Sequence, residues 1–383
     1  MDEITRRVAI KHLARGAAAG TALVMACGST PAFFSNDATP SERDQMARVA
    51  ADFMAKFDVP GLSVAIAQHG HLAYENAFGL ARREPREQLT ASHLFRIASV
   101  TKPITSVAIF SLVEKGKLRL ADTVFGAQGI LGKKYGTAPY QRFVEQITID
   151  HLLTHTCGGW TNDRQDPMFQ HPQMDHAQLI SWTLDNQPLK FSPGIHYAYS
   201  NFGYCVLGRV IEELTNRTYS EYVREEVLAR CGVRGMRIAG NTLADRAPNE
   251  VVYYGQQGEN PYDMNVARMD SHGGWLATPR DLVLFANHVD GFKFTPNILQ
   301  PETIRSMTAP SIASLNYARG WSVNDLGNWW HTGSLPGATT ILVRTSSGFC
   351  WAALTNTRTK SDIALALDNL IWEMARKVSS WQL

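Results

Sequence analysis

The chain has 383 residues, of which 44% are hydrophobic and 19% carry a charge. This balance is typical of a folded globular protein and excludes a disordered or coiled-coil chain. Lys and Arg number 37 against 35 Asp and Glu, so the net charge of +2 gives no basic surface for a nucleic-acid partner. A bundle of membrane-spanning helices is also excluded, because the sequence has no run of roughly 18 strongly apolar residues.

The first 40 residues have the pattern of an export signal followed by a linker. Arg6 and Arg7 are followed by an uncharged stretch, Gly16–Cys27, and then by small residues. This order is typical of signal peptides, and the arginine pair resembles a twin-arginine signal. It predicts an exported protein of the periplasm or cell envelope, against the alternative of a cytosolic protein with an amphipathic first helix. Cys27 is a candidate lipid anchor, because Val24–Cys27 resembles a lipoprotein cleavage box, and ordinary cleavage a few residues later is the alternative.

Strand patterns lie near both ends of the chain, and helical patterns lie between them. Apolar residues at helical spacing predict a helix that Ser41 caps and that ends near Phe57. Gly61–Gln68 and Leu72–Gly79 have the pattern of a β-hairpin. Further helices are predicted at Thr105–Lys115, Ile149–Thr154, Asn201–Leu214, from Thr278 onward, and at Ser361–Val378. Strands are predicted in the tail at Tyr317–Val323, Asn328–His331, Thr339–Thr345 and Phe349–Leu354.

This order of elements predicts an α+β fold. We expect one mainly antiparallel β-sheet, built from both termini and flanked by helices, with a helical domain beside it. The export signal and linker would occupy residues 1–40, and one folded domain would occupy residues 41–383. Within that domain we expect a sheet subdomain at about 41–98 and 311–383, and a helical subdomain at about 99–310.

Ser99 and Lys102 form the sharpest chemical signal in the sequence. Side chains three residues apart lie on one face of a helix, so the hydroxyl and the amine would be neighbours. A serine hydroxyl is a poor nucleophile until a neighbouring base removes its proton, and an amine can accept or relay that proton. Pro103 fits best in the first turn of a helix, which places Ser99 at its start. Free backbone N–H groups there can face a developing oxyanion.

Two later motifs supply the other groups that an acyl transfer needs. We expect an ammonium on Lys102 to lower the pKa of the Tyr199 phenol and so make it a general base. The amide of Asn201 can hold Lys102 and a substrate carbonyl together. His331 and Gly333 lie between two predicted strands, where a backbone N–H can serve as a second oxyanion donor.

Together these motifs resemble the three boxes of the serine β-lactamase and penicillin-binding protein superfamily, in its class C β-lactamase-like branch. Leu152–Thr156 and Gly273–Leu276 also look like landmarks of that family, and the resemblance extends from about Arg43 to Val378. It implies a covalent acyl-enzyme route without cofactor or metal. It also implies a β-lactamase/transpeptidase-like fold, with a cleft between an antiparallel sheet flanked by helices and a helical domain.

The resemblance also implies a role for each motif residue. Ser99 would be the nucleophile, and Lys102 with Tyr199 would be the proton-transfer pair. Asn201 would orient Lys102 and the substrate, and the backbone N–H groups of Ser99 and Ser334 would form the oxyanion hole. The residues assigned to substrate binding and the oxyanion hole are Asn201, His331, Gly333 and Ser334.

The third box departs from the common pattern of the family, because it begins with His331 rather than lysine. Lysine is charged at about pH 7 and suits the carboxylate that β-lactams carry, whereas histidine is charged only in part. Histidine here is similar to esterases and D-amino-acid peptidases of the superfamily, so we expect hydrolysis of an ester or amide of a small molecule or short peptide. The alternatives are a penicillin-binding-type D,D-peptidase or weak β-lactamase, and a catalytically silent envelope binding protein.

Two other patterns involve residues that can form metal or disulfide sites. His151 and His155 have the spacing of metal ligands on a helix, but no Glu lies between them, so we expect structural hydrogen bonds and no metal. The cysteines after Cys27 form no Cys-x-x-Cys pair, so no zinc site is expected. These cysteines, which are either paired after export or buried as free thiols, are Cys157, Cys205, Cys231 and Cys350.

Overall fold

A seven-stranded antiparallel sheet organises the fold, for which a computed structural model describes residues 38–256, 258–359 and 363–381. The strands are β1 (Gly61–Gln68), β2 (His71–Arg82), β3 (Glu87–Gln88), β4 (Phe95–Arg96), β5 (Arg237–Ile238), β6 (Tyr254–Gly255), β7 (Trp275–Ala277), β8 (Ser322–Val323), β9 (Trp329–Leu335), β10 (Ala338–Arg344), β11 (Phe349–Thr355) and β12 (Thr357–Arg358). The order in the large sheet is β3-β2-β1-β11-β10-β9-β8, so the two ends of the chain meet where β1 pairs with β11. The predicted fold class is therefore confirmed.

Helices cover both faces of this sheet and fill the middle of the chain. They are α1 (Pro40–Phe57), α2 (Thr101–Glu114), α3 (Ile149–Leu153), α4 (His176–Asn186), α5 (Asn201–Thr215), α6 (Tyr219–Val223), α7 (Pro279–Asn287), α8 (Pro301–Thr308) and α9 (Ile363–Ala375). On one face α1 packs against α9, and on the other α7 packs against β1 and β11. Each helix predicted from the sequence is present with shifted ends, whereas α4, α6 and α8 are additional. The division into sheet and helical subdomains stays a prediction.

The central strands bury side chains on both faces. In β1, Ala65 and Ala67 join the core shared with the middle helices, while Val64 and Ile66 join the core under α1 and α9. β11 alternates in the same way, because successive side chains of a strand point to opposite faces. The sheet is therefore a rigid layer between two apolar cores, and its C-terminal strands can hold functional groups in fixed positions.

Two of the differences between predicted and observed element ends have local causes. α1 begins at Pro40 and not after Ser41, because Thr39 is the cap. The Thr39 hydroxyl accepts the Glu42 N–H, and the Glu42 carboxylate accepts the Thr39 N–H at 2.8 Å, which is a capping box. The first predicted tail strand is confined to β8, and Tyr317 before it is buried instead.

The structure also decides between the two alternatives for the cysteines. The four described cysteines are all buried free thiols: Cys157, Cys205, Cys231 and Cys350. Burial raises the pKa of each thiol, so they act as small apolar core residues.

Within the described ranges, no helix combines the length and the apolar character needed to cross a membrane. The predictions for the export signal and for Cys27 fall outside the described residues.

Candidate active site

Ser99 lies in a tight turn immediately before α2. Ala98–Val100 form a 3₁₀ turn and α2 continues from Thr101, so Ser99 is next to the free N–H groups of a helix start. Ala98 has a φ of 48°, a left-handed conformation that residues other than glycine rarely adopt. Backbone strain of this kind is typical of functional sites, where the surrounding packing maintains it. Ser99 itself remains partly open to solvent.

The strand β9 runs so close to this turn that only glycine fits at position 333. A Cβ atom on Gly333 would lie 2.3 Å from the carbonyl oxygen of Ile97. The hydroxyl of Thr340, on β10, donates a hydrogen bond of 2.8 Å to the same carbonyl oxygen. Ser334 is the next residue of β9 and is exposed. The third motif is therefore held beside the turn that carries Ser99.

The Lys102 amine is buried within the site and contacts three oxygen atoms. Its Nζ lies 3.1 Å from Oγ of Ser99, 2.8 Å from Oδ1 of Asn201 and 3.0 Å from the carbonyl oxygen of His272. Burial lowers the pKa of Lys102 well below its usual value, because an ammonium loses its hydration, and the negative charge of Asp166 opposes this only in part. In its neutral form the amine can donate its two hydrogens to the two carbonyl oxygens and keep its lone pair for the Ser99 hydroxyl.

The phenol of Tyr199 adjoins this pair, but its protonation differs from the sequence prediction. Tyr199 is in hydrogen-bond contact with the Ser99 side chain, and Nζ of Lys102 lies 4.7 Å from its ring centroid. The prediction that Lys102 lowers the pKa of Tyr199 is wrong. Desolvation is the largest effect on the phenol and raises the pKa of Tyr199, and the hydrogen bond with Ser99 opposes it only in part. Tyr199 is therefore a protonated phenol that can pass a proton on.

Asn201 begins α5 and links Lys102 to the loop before α4. Its Oδ1 accepts the hydrogen bond from Lys102, and its Nδ2 donates to Asp166 at 2.7 Å and to Asn162 at 3.1 Å. Asp166 is 0% exposed and also accepts the Met168 N–H at 2.9 Å. Sequence reasoning missed Asp166. Its only signal is that an Asp before a Pro is typical of a turn, which says nothing about Asn201.

His331 belongs to a chain of hydrogen bonds with one consistent direction. Its Nδ1 lies 2.7 Å from the carbonyl oxygen of Thr332 and must carry the hydrogen, which leaves Nε2 as an acceptor. Tyr317 donates to that Nε2 at 3.1 Å and accepts from Nε2 of His155 at 3.1 Å. Nδ1 of His155 in turn accepts the backbone N–H of Ser200 at 3.1 Å. Each ring nitrogen has one role, and both histidines are neutral.

This network fixes the charge of the third motif. Burial lowers the pKa of His331 to about 3, so its imidazole is neutral at physiological pH. His155 is likewise held neutral by burial, in the structural role expected from the sequence. Sequence reasoning missed Tyr317, because its segment had the pattern of a strand.

Residues 38–256, 258–359 and 363–381 contain no cluster of three His, Cys, Asp or Glu that could hold a metal ion.

Comparison with known proteins identifies the family. The family described as Beta-lactamase matches residues 46–375, so this chain belongs to the β-lactamase family, as its motifs indicated. Penicillin-binding protein 4* of Bacillus subtilis is 24% identical over 318 residues, which are 74% of this chain and 64% of that protein. Esterase EstB of Burkholderia gladioli is 31% identical over 233 residues, which are 53% of either chain. This chain thus spans less than two thirds of the length of these relatives.

Solved structures show the same fold. The D-amino acid amidase from Ochrobactrum anthropi SV3, solved in complex with L-phenylalanine, aligns with a TM-score of 0.72 and 21% sequence identity. The alignment covers 88% of this chain and 98% of the amidase. At this identity the likeness establishes the shared fold, and the chemistry must be argued from the residues of the site.

The close approach of β9 to the Ser99 turn can be tested by adding one methyl group. We expect Gly333→Ala to slow the labelling of Ser99 by a fluorophosphonate probe by about 100-fold, because the Cβ clash with Ile97 displaces β9. The rate is measured by intact mass on protein with an unchanged circular dichroism spectrum. Gly235→Ala is the matched control, since the nearest atom to its Cβ lies 3.9 Å away. Equal labelling rates in the two variants would contradict the expectation.

Proposed function

We propose that this protein is a serine hydrolase that cleaves an ester or amide bond of a small molecule or short peptide through an acyl-enzyme on Ser99. The observation that carries the proposal is the 3.1 Å contact between Oγ of Ser99 and the buried amine of Lys102. A neutral amine at this distance can take the hydroxyl proton as the oxygen attacks. The relative named as an esterase supports a reaction at an ester bond, and an amide offers the same kind of carbonyl carbon to the serine.

Acylation begins when Oγ of Ser99 attacks the carbonyl carbon and its proton moves to Nζ of Lys102. The carbonyl oxygen becomes an oxyanion, for which the backbone N–H groups of Ser99 and Ser334 are the proposed donors. Tyr199 then gives its proton to the departing oxygen or nitrogen and takes one from the Lys102 ammonium. The bond to the leaving group breaks, and Lys102 is neutral again.

Hydrolysis of the acyl-enzyme uses the same proton path in reverse. A water molecule attacks the acyl carbon while its proton passes through Tyr199 to Lys102. The bond between the acyl carbon and Oγ of Ser99 then breaks, and the serine regains its proton from Lys102. Asn201 keeps the amine in place in both halves through its 2.8 Å hydrogen bond. Every proton that these side chains take up is returned, so the site ends the cycle in its starting state.

The surroundings of the site favour an uncharged substrate. With a pKa lowered to about 3, His331 offers no positive charge to a substrate carboxylate. Two loops next to the site carry exposed apolar side chains, including Tyr197 at 38% and Leu315 at 76% exposure. The two loops contact each other through the rings of Tyr197 and Tyr317, whose centroids are 5.7 Å apart. These features favour an ester or amide with an apolar group over a β-lactam.

The roles of the three reactive side chains are tested by single substitutions. Ser99→Ala and Lys102→Ala should each abolish turnover of p-nitrophenyl butyrate, and Tyr199→Phe should lower it by about 10²–10⁴-fold. Tyr204→Phe is the control for the tyrosine, because its ring also lies near Lys102, at 5.6 Å. Its hydroxyl donates to the Leu153 carbonyl oxygen and contacts the Tyr317 hydroxyl, and it is not bonded to Ser99 or Lys102. Wild-type turnover in any of the first three variants would overturn that residue's role.

A series of substrates separates a hydrolase from the alternative of a silent binding protein. The wild-type protein is incubated with a series of esters, D-alanyl amides and nitrocefin, and its intact mass is recorded. We expect an acyl adduct with at least one ester or amide that is missing in Ser99→Ala. A wild-type protein that forms no adduct and releases no product across the series would instead favour a binding protein.

His331→Lys tests the origin of the substrate preference. A lysine would place a positive charge in the third motif, so the ratio of nitrocefin turnover to p-nitrophenyl butyrate turnover should rise. His331→Gln is the control, because it disturbs the bond from Tyr317 in a similar way without adding a charge. The same ratio in both variants would show that residue 331 does not meet the substrate.

We also propose that residues 1–40 direct export to the periplasm or cell envelope, with Cys27 as a candidate lipid-anchor site. The support is the sequence pattern around Arg6 and Arg7. Replacing both arginines by lysine should retain the protein in the cytoplasm of a bacterial host, as cell fractionation would show. Unchanged export of that variant would argue against a twin-arginine signal, and lipid labelling that survives Cys27→Ser would argue against the anchor.

A further inference from the structure

Asp166 is a buried carboxylate that reaches the reactive group through Asn201. Its Oδ2 accepts a hydrogen bond of 2.7 Å from Nδ2 of Asn201, and its Oδ1 accepts the Met168 N–H at 2.9 Å. The residue is 0% exposed, so no substrate can touch it in this conformation. An ionised carboxylate can only accept hydrogen bonds, and here each of its oxygens faces a donor.

An acceptor at this position fixes the orientation of the Asn201 amide. The NH₂ group of Asn201 faces both the Asp166 carboxylate and Oδ1 of Asn162, which is 3.1 Å away. The amide oxygen must therefore face Lys102, which it contacts at 2.8 Å. A reversed amide would set its oxygen against the carboxylate inside a buried site, where unpaired polar groups are costly.

The orientation of this amide in turn fixes the hydrogens of Lys102. A neutral amine has two hydrogens, and the carbonyl oxygens of Asn201 and His272 take them at 2.8 Å and 3.0 Å. The lone pair is then left for the third contact, with Oγ of Ser99 at 3.1 Å. A hydroxyl that donates to this lone pair is already aligned for the proton transfer that begins acylation.

We propose that Asp166 is a positioning residue for acyl transfer, which acts through Asn201 to direct the lone pair of Lys102 at Ser99. The inference rests on the proposed function and extends it to a fourth side chain that meets no substrate. An asparagine of the same shape would not replace Asp166, because its NH₂ group would have to face one of the two donors, Asn201 or the Met168 N–H.

The charge of Asp166 gives the proposal a second readout. Burial raises the pKa of Asp166 to about 6, against the opposing effect of Lys102, and Asp163 on the same loop raises it further. The other titratable groups facing Lys102 and Asp166 are the phenols of Tyr199 and Tyr204 and the buried imidazoles of His155, His272 and His331. The Arg268 guanidinium binds carbonyl oxygens of the loop. The carboxylate stabilises an ammonium on Lys102, so removing it lowers the pKa of Lys102. Only the neutral amine accepts the serine proton, so the acidic limb of kcat/KM then moves to lower pH.

Asp166→Asn tests both effects with p-nitrophenyl butyrate as the probe. We expect kcat to fall by about ten- to hundred-fold with little change in KM, because the amine is misaligned while the binding surface is intact. The acidic limb of the kcat/KM profile should move to lower pH in the same variant. Asp163→Asn is the matched control, since it removes the same charge from the same loop without touching Asn201, and its kcat should stay near that of the wild type.

Asp166→Ser separates positioning from folding of the loop. A serine can still cap the Met168 N–H, but it is too short to reach Asn201, so it should reproduce the loss in kcat with a wild-type unfolding temperature. A folded variant at 166 with the kcat and the acidic limb of the wild type overturns the proposal. Failure of both variants to fold also overturns it, because Asp166 then serves the loop alone. Turnover that survives Ser99→Ala would instead defeat the proposed function.

Discussion

Burial of the Lys102 amine among three oxygen atoms is the interaction on which the rest of the site depends. Removing an ammonium from water is costly, so burial lowers the pKa of this amine. In its neutral form the amine can place its hydrogens on two carbonyl oxygens and its lone pair toward Ser99. The partners come from separate parts of the chain, the start of α5 for Asn201 and the segment before β7 for His272. The amine is therefore a base only once the whole fold has formed.

The sheet gives this arrangement its rigidity. Its central strands are buried on both faces, so β9 and β10 cannot move independently of the two apolar cores. β10 holds the turn of Ser99 through the hydrogen bond of Thr340 to Ile97, and the missing side chain of Gly333 allows β9 to approach the same turn. The left-handed backbone of Ala98 fits this constraint, because packing from both sides keeps the turn in a conformation that it would not adopt alone.

Neutrality is a property shared by the whole centre of the site. Burial keeps His331 and His155 uncharged and Tyr199 protonated, and the Tyr317 hydroxyl joins the two histidines into one directed network. A site of this kind moves protons between neutral groups and offers little to a charged substrate. The third motif of this site therefore differs from the pattern common in its family, which begins with a lysine.

Much of the fold and part of the site could be predicted from the sequence. The strand patterns of β1 and β11, the helical spacing in α5, and the position of Pro103 after Ser99 are local patterns, so they appear in the sequence before any tertiary contact is known. The motifs gave the family for the same reason. Predictions failed where the role of a residue in the folded structure differs from what its local pattern indicates. Tyr317 belongs to a segment with a strand pattern, but its hydroxyl is hydrogen-bonded to two histidines.

The order of the elements and the residue types that meet at the site therefore follow from the sequence alone. The protonation of these residues follows from the tertiary structure. The pKa of Tyr199 rises instead of falling, and Asp166 enters the site from a loop with no motif. The charge of a side chain depends on its burial and on partners that lie far apart in the chain. The spacing of neighbouring residues in the sequence indicates neither of these.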